Sequence, residues 1–144
     1  MIKLIDANYD AEDGTSYAKI MTDCGIFEDW AFLHPDDEKI ASKFLGCEIA
    51  EYRATLLYFH KKLSLLNNKL LALYDLKRDY NHIGLTDEDR GYKKLIERIA
   101  QMELQKTDYK TDIKSLKKAI DAKINNYEKN LLKIRKEKEE KDSK

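Results

Sequence analysis

The chain has 144 residues, enough for one domain, and its one proline and five glycines beside 38% charged residues favour long helices over a loop-rich fold. The formal net charge is zero, but residues 1–48 hold 11 acidic and 4 basic side chains (−7), and residues 49–144 hold 16 and 23 (+7). Two cysteines are too few for a disulfide scaffold, and without a signal-type or membrane-length apolar stretch we expect a cytoplasmic protein with no membrane partner.

Residues 1–34 predict a small β-meander. Three segments rich in β-branched and aromatic residues, "IKLIDANYD", "TSYAKIMTD" and "IFEDWAFL", are separated by the turn residues of "AEDG" and "CG". Alternation in the third segment places one set of side chains on a common face, namely Ile26, Glu28, Trp30 and Phe32. Three strands cannot bury both faces of a sheet, so we expect this sheet to pack on helices.

A first helix is predicted over residues 35–80. Pro35 suits the first helical position, and the acidic residues that follow it complement the positive end of the helix dipole. From Ile49 onward, apolar residues recur in alternating steps of three and four, which indicates a coiled-coil seam. The seam consists of Ile49, Tyr52, Leu56, Phe59, Leu63, Leu66, Leu70 and Leu73.

A turn over residues 81–86 and a second helix over 87–136 complete a predicted hairpin. Gly84 suits the left-handed conformation that ends helices, and Thr86 with Asp89 resembles a capping box. The second helix has its own seam, formed by Tyr92, Leu95, Ile99, Met102, Lys106, Tyr109, Ile113, Leu116 and Ile120. Residues 137–144 lack apolar side chains and are predicted to be a charged, frayed tail.

The expected fold is therefore α+β and mostly α. A small N-terminal three-stranded antiparallel sheet precedes a long antiparallel two-helix coiled-coil hairpin, and together they form one structural domain. A turn centred near residue 82.5 makes the numbers of facing residues sum to about 165, which places Leu70 opposite Leu95 and Leu66 opposite Ile99.

The first helix carries a second apolar stripe away from this seam, formed by Ala50, Leu57, Tyr58, Leu65, Leu71 and Ala72. The sheet can cover the part near Ala50 and Leu57, but Leu71 lies about 50 Å along the helix from its start. An exposed stripe of this length typically marks an interface. We therefore expect a homodimer that pairs through the first helices, or a docking groove for another protein.

Catalytic chemistry is not expected, nor a metal or cofactor. His60 and His82 lie roughly 33 Å apart along the helix, so they cannot share a metal within one chain. The acidic clusters at 36–38 and 87–89 lie at opposite ends of the predicted hairpin. The sequence also lacks the motifs of zinc proteases, phosphate-binding loops and serine hydrolases.

Nucleic-acid binding has some support from charge. Residues 105–136 carry ten basic and four acidic side chains, and a basic helix flank can follow a phosphate backbone. The proposed contacts are Lys110, Lys114, Lys117 and Lys118. The alternative is that these lysines only keep a coiled coil hydrated. Tyr109 and Tyr127 are available for base stacking but also occupy seam positions.

The run "LHPDDEKIASKFLGCEIAEYRATLLYF", after a β-rich start containing "YDAEDGTSYAKI", resembles small proteins encoded by phages and prophages of Gram-positive bacteria. The similarity covers residues 5–60 and brings no catalytic or binding residues with it. It implies a phage origin and action in the bacterial host cytoplasm.

The leading functional hypothesis is a non-enzymatic, homodimeric interaction protein that binds a host protein, such as a defence nuclease, in the manner of an anti-CRISPR protein. The alternatives are a nucleic-acid-binding accessory protein of replication or recombination, and a virion assembly or scaffolding protein. The target, the orientation of the dimer, and whether the acidic sheet or the basic helices make the contact all stay open on the sequence alone.

Overall fold

The computed structural model confirms the predicted fold class. Its elements in chain order are β1 (Lys3–Asp10), β2 (Thr15–Thr22), β3 (Gly25–Phe32), α1 (Ile40–His82) and α2 (Arg90–Asp142). The residues that the structure describes are 2–10, 14–32 and 40–142. The predicted helix start at Pro35 lies outside them.

The three strands form an antiparallel sheet in the order β1-β2-β3. Thr22 pairs with Gly25, so a two-residue turn joins β2 to β3. The Thr22 hydroxyl donates to the Gly25 carbonyl (2.8 Å) and accepts the Cys24 N–H (3.1 Å), which stabilises this turn. Gly25 has a φ of 112°, a conformation that strongly favours glycine. In β1, a β-bulge or irregularity interrupts the register between Leu4 and Asp6.

The chain divides into two compact units, of which the first comprises Met1–Tyr58 with Ser115–Lys144. One face of the sheet packs here on the helices, and we call it the inner sheet face. The small residues Ala18 and Ala31 of the sheet meet Ile49 and Ala50 of α1 and Ile120 of α2 in a buried cluster. Alanine at the contact lets the helix backbone approach the sheet closely.

Polar contacts of α1 and α2 complete the first unit. The Arg53 guanidinium donates to the Trp30 carbonyl of β3 (Nη1 to O, 2.9 Å). Between the helices, Lys123 forms an ion pair with Glu48 (2.9 Å), and its ammonium nitrogen lies 5.4 Å from the centre of the Tyr52 ring. Both helices therefore contribute to this unit.

The second unit, Phe59–Lys114, is the closed end of the hairpin. Leu66 and Leu70 of α1 pack with Leu95 and Ile99 of α2 in a buried cluster. These four residues belong to the two predicted seams, so heptad spacing identified the residues that face the other helix.

The loop between the helices has the predicted capping chemistry. Gly84 has a φ of 85°. The Thr86 N–H donates to the Asp89 carboxylate (2.8 Å), and the Thr86 hydroxyl accepts the Glu88 N–H (3.4 Å). The first regular helical bond then runs from the Lys93 N–H to the Asp89 carbonyl (3.0 Å). Because the capping residues lie before the regular helix, α2 begins at Arg90 rather than at residue 87.

The predicted helix-to-helix register was wrong by about one heptad. Within the second unit, the residue numbers of the contacting pairs Phe59–Tyr109 and Tyr74–Glu103 sum to 168 and 177. Within the first unit, those of Glu48 and Lys123 sum to 171. The mean of these sums is 172, not 165. The loop explains the shift, because it spans residues 83–89 and is centred on residue 86 rather than 82.5.

The charged C-terminal segment differs from its prediction too. α2 continues to Asp142, past residue 136 where the frayed tail was expected to begin. Lysine and glutamate are good helix formers, and opposite charges three or four residues apart support a helix without any buried face.

Candidate protein-binding surfaces

The face of the sheet opposite the helices carries the largest set of exposed aromatic and aliphatic side chains in the sheet. We call it the outer sheet face, and its residues on β2 and β3 are Thr15, Tyr17, Lys19, Met21, Ile26, Glu28, Trp30 and Phe32. The strand register places Tyr17 opposite Trp30 and Met21 opposite Ile26. Directly opposite side chains lie on the same face of a sheet, so these residues form one continuous surface.

Apolar side chains on this face are strongly exposed. Phe32 is 64% exposed and Ile26 is 56% exposed, whereas Ile20 on the inner sheet face is fully buried. Trp30 and Met21 each expose about half of their surface (47%). Grouped exposed apolar residues on a folded domain mark sites of interaction, and tryptophan is enriched among the residues that dominate binding energy.

Tyr17 is held in place at the centre of this face. Its ring centroid lies 5.3 Å from that of Trp30, and its hydroxyl donates to the Glu28 carboxylate (2.5 Å). The hydrogen bond to Glu28, with smaller contributions from burial and from the charges of Glu28 and Asp6, raises the pKa of Tyr17 to about 12. The hydroxyl is therefore protonated at neutral pH and keeps the ring oriented beside Trp30.

A second candidate surface is an open groove within the second unit. Its volume is about 490 Å³, and its apolar floor includes Leu73, Leu76 and Leu95. Three cationic side chains line it: Lys69, Lys94 and Arg98. The groove thus combines an apolar floor with positive charge.

The predicted stripe on α1 is only partly available for binding. Ala50 and Tyr58 were wrongly assigned to an exposed interface, because both are buried in the first unit. Ala50 packs on Ala18 and Ala31, and the Tyr58 ring lies 5.9 Å from that of Phe27 in an edge-to-face arrangement. The remaining stripe residues are all exposed, namely Leu57, Leu65, Leu71 and Ala72.

The proposed nucleic-acid contacts lie on α2. Lys110 and Lys114 belong to the second unit, Lys117 and Lys118 to the first, and all four are exposed. Tyr109, considered above for base stacking, is half-buried instead, with its ring centroid 6.3 Å from that of Phe59. Tyr109 therefore packs between the helices. It is not an exposed ring that could stack on a base beside the lysines.

Within residues 2–10, 14–32 and 40–142, no three His, Cys, Asp or Glu side chains are grouped so that they could hold a metal ion. His60 and His82, the two histidines in this part of the chain, are both exposed. Neither helix contains, within its described residues, a segment long and apolar enough to cross a membrane.

No protein-family model matches the chain, and no curated protein or solved structure shows significant similarity to it.

Sequence reasoning missed the outer sheet face as a candidate site. The alternation of Ile26, Glu28, Trp30 and Phe32 was visible, and it correctly placed these residues on one face. The alternation in β3 did not indicate which face of the sheet the helices cover. The sequence of β2 did indicate it, because Ser16, Ala18 and Ile20 alternate there with Tyr17 and Lys19. The small residues mark the face that a helix approaches.

Proposed function

We propose that the protein is a non-enzymatic interaction module that binds a partner protein through the outer sheet face. The observation that carries this proposal is the side-by-side exposure of Trp30, Phe32, Ile26 and Met21 on a surface that the helices leave open. Burying these side chains under a partner removes apolar area from water without any rearrangement of the core.

The character of the face favours a preorganised contact. Sheet positions have little backbone freedom to lose, and Tyr17 is already oriented by Trp30 and Glu28. Binding therefore costs less conformational entropy than ordering a loop. Aromatic residues supply large contact area with few rotatable bonds.

Charge indicates the chemistry of the partner. The half of the chain that contains the sheet has a balance of −7 over residues 1–48. On the outer side of the sheet the acidic side chains are Asp6, Asp10 and Glu28 and the basic ones are Lys3 and Lys19, a balance of −1. A partner surface with apolar residues surrounded by lysine or arginine is complementary to this arrangement.

Many nucleic-acid-binding proteins present basic surfaces of this kind. The resemblance to phage proteins adds a bacterial host protein, such as a defence nuclease, as the expected partner, encountered in the host cytoplasm. In that setting the protein acts by occupying a basic site on the host protein.

The test compares two double variants with the unmodified chain. In the face variant, Ile26→Thr and Phe32→Thr replace the two most exposed apolar residues of β3 with a residue that still favours strands. In the control variant, Leu104→Ser and Leu132→Ser replace two leucines of α2 that are about as exposed as Ile26 and Phe32. Each protein is immobilised and exposed to lysate from a Gram-positive host, and each captured protein is then purified and titrated.

The expected result is one host protein, retained in fixed stoichiometry by the unmodified chain and the control variant. The face variant is expected to bind it at least about tenfold more weakly, since two contacts of roughly 1 kcal/mol or more are removed. Equal affinity of the face and control variants would overturn the proposal. If the chain instead captures nucleic acid, and replacing Lys110, Lys114, Lys117 and Lys118 abolishes that capture, the result would support a nucleic-acid-binding accessory role. Self-assembly of the chain into large particles would support a scaffolding role.

A further inference from the structure

β1 is an edge strand that the helices leave largely uncovered. Seven of its eight residues are exposed, and Tyr9 is half-buried. Leu4 pairs with Ile20 and therefore lies on the inner sheet face, yet Leu4 is 43% exposed whereas Ile20 is fully buried. α1 contacts β3 at both Trp30 and Phe27. Its contact with β1 is a long hydrogen bond from the Cys47 thiol to the Asn8 carbonyl (3.8 Å). The helices thus cover the β2–β3 side of the inner sheet face better than the β1 side.

From the pattern of residues along this edge we infer that β1 pairs antiparallel with β1 of a second copy of the chain. A two-fold axis passes through Ala7, and the two three-stranded sheets join into one of six strands. This inference is independent of the proposed function, because it concerns the edge of the sheet rather than the outer sheet face on β2 and β3.

The register follows from keeping every pair on one face. Ala7 lies opposite Ala7 of the second copy, and Asp6 lies opposite its Asn8. The irregularity at Ile5 then shifts the pairing by one residue, so that Leu4 meets Tyr9 and Lys3 meets Asp10. Asp6, Asn8, Lys3 and Asp10 all lie on the outer side of β1, and Leu4, Ala7 and Tyr9 on the inner side, as their pairing with β2 shows. A slip by one residue would mix the two faces.

Charge complementarity selects this register over its neighbours. It places the Lys3 ammonium beside the Asp10 carboxylate twice, once on each side of the axis, and a carboxylate can accept this contact in addition to those within its own chain. Sliding the copies by two residues, so that Asp6 faces Asp10, would set like charges opposite each other. The inner side gains two Leu4–Tyr9 pairs, which cover the exposed Leu4.

The first test exchanges the charges. Lys3→Asp and Asp10→Lys each create two like-charge pairs in a homodimer, and each is expected to weaken self-association by about tenfold or more. A mixture of the two variants restores both opposite-charge pairs, so it is expected to form a heterodimer about as tight as the unmodified homodimer. Sedimentation equilibrium of each variant and of the mixture measures this.

The second test concerns the position of the axis. In a Cys24→Ser, Cys47→Ser background, Ala7→Cys places a thiol opposite its own symmetry mate, within the range of a disulfide. Mild oxidation is expected to yield a covalent dimer. The matched control, Ala72→Cys, carries the same substitution at an exposed position of α1 within the helical stripe, and it is expected to stay monomeric on denaturing gels.

Three results would overturn the inference. One is a strictly monomeric unmodified chain at concentrations of hundreds of micromolar. Another is failure of the charge-exchanged mixture to associate better than its components. The third is efficient cross-linking through Ala72→Cys but not Ala7→Cys, which would place the dimer contact on α1 instead. Loss of the host partner in the face variant has no bearing on any of these measurements.

Discussion

The Tyr58 hydroxyl of α1 donates a hydrogen bond to the carboxylate of Asp23, in the turn that joins β2 to β3. Tyr58 is buried, and its ring also contacts Phe27 of β3. One side chain therefore connects the helix both to a strand and to the turn beside it. This contact lies in the first unit, where it joins α1 to the part of the sheet that carries the outer sheet face.

Removing the hydroxyl of Tyr58 is expected to destabilise the protein. Tyr58→Phe keeps the ring and its contact with Phe27, but it leaves the Asp23 carboxylate without this donor, so the free energy of unfolding should fall by about 1–2 kcal/mol. Urea denaturation followed by far-UV circular dichroism measures the change. Tyr74→Phe is the matched control, because Tyr74 also donates to a carboxylate, that of Glu103, but is exposed. An equal loss in both variants would contradict the special role of Tyr58.

Adjacent leucines of α1 provide a test of the helix-to-helix seam. Leu70 is 3% exposed and packs on α2, whereas Leu71 is 65% exposed. Leu70→Ala should lower the free energy of unfolding by about 2–4 kcal/mol, because it removes buried methyl groups and leaves a cavity. Leu71→Ala should change it by less than about 0.5 kcal/mol. The comparison uses the same denaturation experiment, and similar losses for the two variants would show that the seam faces elsewhere.

Removing the hydroxyl of Ser16 should stabilise the protein. Its hydroxyl oxygen is buried and has no hydrogen-bond partner among the described residues. Burying a hydroxyl costs free energy when no hydrogen bond replaces its contacts with water. Ser16→Ala is therefore expected to raise the free energy of unfolding by roughly 1 kcal/mol. Thr22→Val is the opposite case, because the Thr22 hydroxyl is bonded to both Gly25 and Cys24, and it should lower stability. Destabilisation by Ser16→Ala would mean that the hydroxyl has a partner.

The ionisation of Tyr17 should be visible in a spectrophotometric titration. The hydrogen bond to Glu28 raises the pKa of Tyr17 from 10.0 to about 12. Because the folded-state pKa lies above the unfolded one, the contribution of this group to stability is complete below pH 10 and is lost as the pH rises from 10 towards 12. Phenolate absorbance should therefore contain a component near pH 12 that Tyr17→Phe removes.

Glu28→Gln supplies the control for that titration. It takes away the charged acceptor, so the pKa of Tyr17 should move back towards 10.0, its ordinary value. Circular dichroism recorded at each pH ensures that the chain is still folded. If the late component persists in both variants, it belongs to another tyrosine, and Tyr74 is the first to examine because Glu103 raises its pKa as well.

The loop between the helices depends on Gly84. With a φ of 85°, an alanine at this position is strained whatever space surrounds it, and Gly84→Ala should cost about 1 kcal/mol. Gly91, in the first turn of α2, has open space around it and no such backbone conformation, so Gly91→Ala should be neutral or stabilising. Thermal denaturation of the two variants measures this difference. A lower melting temperature for Gly84→Ala alone indicates backbone strain at Gly84, whereas equal decreases would indicate a general effect of replacing glycine.

Much of this fold could be predicted because its signals are local. The turn glycines, the capping pair Thr86 and Asp89, and the seam leucines each identify their role within a few neighbouring residues. The register between α1 and α2 was less predictable. A heptad seam repeats every seven residues, so a shift by one heptad still places seam positions opposite seam positions, and the length of the loop is needed to distinguish the alternatives.

The candidate site was harder to predict than the fold. Ala50 and Tyr58 look like interface residues in the sequence because they are apolar and lie off the seam. They are buried because a sheet that precedes them in the chain folds back onto that side of α1. The same packing event leaves Trp30 and Phe32 exposed on the other face of the sheet.

The sequence by itself determined the strands, the two helices, the approximate place of the turn between them and the residues that line each helical seam, because propensity, capping and periodicity act over short stretches of chain. Only the tertiary structure decided the helix register, which face of the sheet is covered, and which apolar residues stay exposed for a partner. Those outcomes depend on contacts between segments that are distant in the chain, and the residue pattern of either segment alone does not predict such contacts.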